Sequence, residues 1–143
     1  MIAVDTNILI YARREEFPEH QKARVVLRRL AEGDTPWAIP WPCIYEFLRV
    51  ITHPRVFDPP TPLDRALEDL ESLFESPSLV LLGEGPSHRG PMRQSLICGR
   101  ARGNAVHDAH IAALCMEHDV REILTADRGL ARFPGIVTRN PLG

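Results

Sequence analysis

Apolar residues along this chain recur at two periods, and the two alternate from one end to the other. Ile2–Val4 is a short apolar run that stops at Asp5; Thr6 and Asn7 follow, then a second apolar run from Ile8 to Ile10. From Glu19, EHQKARVVLRRLAEGD sets Ala23, Val26, Leu27 and Leu30 on one stripe and stops at Gly33, the pattern of an amphipathic helix with a glycine end. WAIP reads as a short strand. PCIYEFLRVI puts Ile44, Phe47, Leu48 and Ile51 at helical spacing. HPRVFDPPTP is a connecting loop. TPLDRALEDLESLFESP is the clearest helix, with Thr61 as N-cap, Pro62 in the first turn and a stripe through Leu63, Ala66, Leu67, Leu70, Leu73 and Phe74. SLVLLGEG reads as a buried strand and SHRGPMRQSLICGRAR as a helix. NAVHDAHIAALCMEHD reads as a helix capped by Asn104, and EILTAD and GIVTRN as strands. Strands alternating with helices predict an α/β fold whose parallel sheet is covered on both sides. The length predicts one domain over residues 1–143.

Composition narrows this only a little. A hydrophobic share of 44% fits a globular protein, and no apolar run approaches the roughly 18 residues of a membrane span. Asp5 interrupts the first apolar stretch and no basic segment precedes it, so no signal peptide is expected and the predicted location is cytoplasmic. Cys43, Cys98 and Cys115 are odd in number and widely spaced, which fits reduced thiols better than a disulfide framework or a soft-metal site. The net charge of −2 supplies no basic footprint for nucleic acid. It does not exclude an enzyme that meets phosphate through a metal ion held by carboxylates. Sixteen arginines stand beside the single Lys22, and arginine suits bidentate phosphate contacts.

Four acids sit where a sheet or a buried helix would present them. In an open parallel sheet, ligands bind beyond the carboxyl ends of the strands. Asp5 and Asp127 both follow strand segments, although an aspartate there can equally cap a turn. Glu46 shares a helical face with Pro42, Arg49 and His53. That face is either solvated or, given Cys43, Tyr45 and Val50 on the same helix, one that must find the acid a partner. Asp108 heads a helix face that continues into Ile111, Ala112 and Cys115; it serves the helix dipole or points into a site. Should the four converge, they repel one another and need a cation. Hard oxygen donors without a cysteine cluster select Mg²⁺ or Mn²⁺, an ion suited to phosphoryl chemistry.

VDTNILIYA (4–12), PCIYEFLRVITHPRVF (42–57), ARGNAVHDAHIAAL (101–114) and LTADRGLARFPGI (124–136) together resemble the PIN-domain ribonucleases, in particular the VapC-type toxins of prokaryotic toxin–antitoxin pairs. The motifs run in family order across nearly the whole chain. The resemblance implies a PIN-like three-layer α/β/α sandwich around a mainly parallel sheet. It implies that Asp5, Glu46, Asp108 and Asp127 are the catalytic, metal-holding acids, with Thr6, Asn7 and Thr125 in support. It further implies Mg²⁺ or Mn²⁺ as cofactor, RNA as substrate, a cognate VapB-type antitoxin and a homodimer. Two positions depart from the family pattern. His107 stands where relatives often carry a small polar residue, and Leu130 where many carry an aromatic; neither removes an acid.

Arg49, one turn from Glu46, is the first candidate for an RNA contact, with Arg13, Arg14, Arg100 and Arg102 behind it. Ile8, Tyr11 and the residues around Trp37 and Trp41 are candidates for an antitoxin-docking surface. Two other classes compete. A phosphoaspartate receiver wants a second aspartate beside the first and a lysine after a strand, which Thr6, Asn7 and Lys22 do not supply. A catalytically silent RNA- or protein-binding PIN-like module would show a lost acid, and all four are present.

Overall fold

The computed structural model describes residues 1–143. Strands β1 (Ile2–Val4), β2 (Trp37–Pro40), β3 (Leu79–Leu82), β4 (Glu122–Leu124) and β5 (Val137–Arg139) form one sheet in the order β3-β2-β1-β4-β5. Every neighbouring pair is parallel. Six helices connect or flank them: α1 (Thr6–Arg13), α2 (His20–Glu32), α3 (Trp41–Ile51), α4 (Leu63–Phe74), α5 (Arg89–Cys98) and α6 (Ala105–Glu117). A single 3₁₀ turn, Gly129–Arg132, lies between β4 and β5. This is the expected α/β/α sandwich, with a wholly parallel sheet.

The strand pattern explains the layering. Trp37, Ala38 and Ile39 are all fully buried, so side chains of both parities on β2 are covered and the sheet packs helices on both faces. The core is one cluster of 27 buried residues running through β1, β2, β4, α3 and α6. The chain steps outward from β1 through β2 to β3, then returns to the other side of β1 for β4 and β5. That reversal opens a crevice beyond the carboxyl ends of β1 and β4. No helix is long and apolar enough to cross a membrane.

Several expectations shift in detail. The Ile8–Ile10 run lies in α1, which starts directly after β1 because the Asp5 side chain accepts from the Thr6 amide. SLVLLGEG is an edge strand rather than a buried one; only Leu82 of β3 is buried and Val80 is exposed. Thr61 does not cap α4, where Pro62 is the cap residue. The Thr61 hydroxyl instead accepts from Arg14 at 3.1 Å and its amide donates to the Ile51 carbonyl at 2.8 Å. Asn104 holds the cap position of α6, but its side chain makes no capping bond. Ile8 and Trp37 are completely buried, so neither can dock a partner; Trp41 and Tyr45 are exposed instead. Cys43 and Cys115 are buried free thiols, and burial pushes Cys115 up to about 12.

Gly99 closes α5 against the buried ring of Phe133. A Cβ there would collide with that ring and stand 3.0 Å from the Ser95 carbonyl. Gly99→Ala should therefore destabilise the fold by roughly 1–3 kcal/mol, the usual cost of overpacking. Urea unfolding checks this; an unchanged midpoint would show that Phe133 moves aside freely.

Candidate active site

Asp5 is the residue after β1 and is almost wholly buried. Its Oδ1 accepts from the Thr6 amide at 2.8 Å and lies 3.7 Å from the Cys43 thiol. Its Oδ2 accepts from the Thr125 hydroxyl at 2.8 Å, with the Asn7 amide further off at 3.4 Å. Burial raises the Asp5 pKa; the Thr125 and Thr6 hydrogen bonds oppose it and the nearby Glu46 charge adds to it.

Thr125 ties two strand ends together. Besides donating to Asp5, its Oγ1 accepts from Asn7 Nδ2 at 3.1 Å and from the Asp127 amide at 3.0 Å. Asn7 Oδ1 in turn accepts from the Ala126 amide at 3.0 Å. The first turn of α1 is thus fastened to the exit of β4. Asp127 Oδ1 accepts from the Arg128 and Gly129 amides at 2.7 and 3.3 Å, which aims the carboxylate from the turn.

Asp108 reaches the same place from the first turn of α6. A methyl group on Gly129 would stand 2.5 Å from Asp108 Oδ2 and 3.8 Å from Asp127 Oδ2. A residue without a side chain at 129 is therefore what leaves room for both carboxylates. The Asp108 pKa is raised, first by burial and then by the negative charges of Asp5 and Asp127, with Glu46 contributing less. One electrostatic field joins all four predicted acids.

Glu46 enters from α3. Its Oε2 lies 2.6 Å from His107 Nε2. His107 holds the Glu46 pKa below the usual carboxylate value, against burial, and Arg49 assists. Glu46 in turn raises the His107 pKa. Sequence reasoning registered His107 only as a departure from the family. The contact joins α3 to α6 across 61 positions, and no local spacing could reveal it. Pro42, Tyr45, Glu46, Arg49, Asn104 and His107 line one open cleft at this point. Arg49 makes no ion pair within 4 Å, whereas Arg13 pairs with Asp69 at 3.2 Å and Arg14 with Glu16 at 2.7 Å while stacking on Phe57. His53 turns away and accepts from the Arg55 amide.

The raised pKa of Asp108 sets a sign for stability. Where the folded pKa exceeds the unfolded one, the folded state holds the proton more tightly and stability falls as pH rises through that window. Asp108→Asn removes this penalty. In chelator, the variant should unfold at higher urea than the parent at neutral pH, and the difference should vanish below about pH 4, where both states are protonated. A variant less stable at pH 7 would mean that the carboxylate is structurally satisfied.

Residues 2–136 match the PIN domain family. The chain is 39% identical over 142 residues to ribonuclease VapC43 of Mycobacterium tuberculosis, covering 99% of this chain and 96% of that protein. It is 31% identical to ribonuclease VapC48 of the same species, covering 96% and 94%. Among solved structures it resembles VapBC2 from Rickettsia felis bound to a promoter DNA fragment, with TM-score 0.65, 18% identity and 98% of each chain covered. It also resembles Mycobacterium tuberculosis VapC20, described as a sarcin–ricin loop cleaving toxin, with TM-score 0.63, 14% identity and coverage of 95% and 98%. A parallel sheet with acids at the ends of β1 and β4, together with identity along almost its full length, places this chain in the PIN-domain family, among the VapC ribonucleases.

Proposed function

We propose that this chain is the toxin of a type II toxin–antitoxin pair, a metal-dependent endoribonuclease that hydrolyses RNA phosphodiester bonds at the Asp5, Glu46, Asp108 and Asp127 cleft. The observation that carries this reading is the meeting of the Asp108 and Asp127 carboxylates over Gly129, where burial first, and then the charges of Asp5 and Asp127, raise the Asp108 pKa. Like charges so placed favour a bound cation. The donor set is all oxygen, which suits Mg²⁺ or Mn²⁺. The buried Thr6 hydroxyl stands beside Glu46 and Cys43, where its hydrogen bonding lowers the pKa of both.

Asp5, Glu46, Asp108 and Asp127 would hold the metal, which supplies charge neutralisation for phosphate and an activated water. Thr125 and Asn7 orient Asp5 and Asp127 through the bonds described above. His107 sets the direction of Glu46. Arg49, unpaired at the cleft mouth, binds a substrate phosphate.

The partner in this reading is a small VapB-type antitoxin that inserts a cationic side chain among the acids, since arginine bonds carboxylates bidentately. A groove lined by Ala12, Ala31 and Leu73 among the charged Arg13, Arg24, Arg28, Glu32 and Asp69 is where an amphipathic helix of that partner would lie. A homodimer would cover the exposed Trp41 and Tyr45.

Asp108→Asn should lose RNA cleavage by at least a hundredfold with Mg²⁺ or Mn²⁺ while its circular dichroism stays that of the parent. Undiminished cleavage, or cleavage in excess chelator, would contradict the metal mechanism. Arg49→Ala should weaken RNA binding and reduce the slope of log affinity against log salt by about one phosphate contact. An unchanged slope would assign Arg49 to the structure of the cleft.

A further inference from the structure

Outside the acidic cleft, a second group of ligating side chains converges from three segments. Glu84 lies in the loop after β3, His88 is the cap residue of α5, and His110 is on α6. One ligating atom from each lies within 4.8 Å of the other two. His110 Nε2 and Glu84 Oε1 are 2.5 Å apart. The two histidine rings meet edge to face, with centroids 5.9 Å apart.

What sets this group apart from an ordinary ion pair is its support. His88 directs Nδ1 at Glu117 Oε1, 2.6 Å away, which leaves Nε2 as the nitrogen free to ligate. Glu117 is fixed in turn, because its Oε2 accepts from the Gly85 amide at 2.8 Å. A Cβ at Gly85 would stand 2.8 Å from that oxygen, so glycine permits the approach. The next residue, His118, bonds the Gly83 carbonyl through Nε2 at 2.8 Å. The loop carrying Glu84 is thereby pinned to the C-terminal half of α6, and His110 and Glu117 lie two turns apart on that helix. A carboxylate behind a histidine is how proteins fix the tautomer and direction of a metal-binding imidazole.

We propose that Glu84, His88 and His110 form a binding site for a divalent transition ion of the zinc class, separate from the acidic cleft. Two imidazoles and one carboxylate are a donor set that zinc accepts with a fourth position left to water. In the metal-free chain His110 Nε2 and Glu84 Oε1 contact each other directly, and the ion takes the place of that contact. The ion fastens the Glu84 loop to α6, the helix that also carries His107 and Asp108. The proposal does not depend on the nuclease reading.

Zn²⁺ affinity of the untagged chain, measured by competition with a chromophoric chelator, tests this directly. The Asp108→Asn background removes one acid of the cleft, and any Zn²⁺ still bound there is told apart by its insensitivity to substitutions at His110 and Glu84. One Zn²⁺ per chain is expected in that background. Adding His110→Gln or Glu84→Gln should weaken binding at least tenfold, and adding Glu117→Gln by about 10–100-fold. Both His110 and Glu84 are partly exposed, so these variants should fold, and circular dichroism checks that they do. Absence of Zn²⁺ binding in Asp108→Asn, or equal affinity after either ligand substitution, would overturn the proposal.

Discussion

The repulsion among carboxylates at one end of a parallel sheet is the constraint around which this structure is arranged. Asp5 alone could be accommodated, since it accepts bonds from Thr6 and Thr125. Asp108 could not be so easily, because it is half-buried beside the charges of Asp5 and Asp127. Charges in that position are costly unless something opposes them. The chain opposes them in part: His107 pairs with Glu46, and backbone amides hold Asp127. The remaining cost makes the cleft receptive to a cation.

The scaffold makes that crowding possible. The sheet order sends connections in opposite directions on either side of β1, so a crevice forms where β1 and β4 end. Thr125 and Asn7 then lock these ends into a fixed relation. Gly129 completes the arrangement by omission, since any side chain there would fill the space that Asp108 and Asp127 use. Function in this account rests on positions that the fold would tolerate as ordinary turn residues.

The alternation of strand and helix, and the spacing of the acids along it, were legible because each depends on local periodicity. The helix after Asp5 was not, because a three-residue apolar run has no period to read. Leu79–Leu82 looked buried from its apolarity, yet an edge strand exposes one side whatever its composition. Thr61 had the chemistry of a cap, but Arg14 claimed its hydroxyl from far away in sequence. The pairing of Glu46 with His107 and the gathering of Glu84, His88 and His110 are tertiary facts. No local spacing pointed to the second group, because Glu84 lies in a loop and meets His110 only through the fold.

Direct binding of a hard divalent ion is the most immediate test of the central claim. Calorimetric titration of Mn²⁺ into the RNA-free chain, compared with Asp5→Asn, isolates the cleft. Asparagine keeps the capping role at the start of α1 while removing the charge. The account predicts that Mn²⁺ binds the parent chain and that Asp5→Asn loses most of that affinity. Equal Mn²⁺ affinity in the two proteins, or none in the parent, would contradict it.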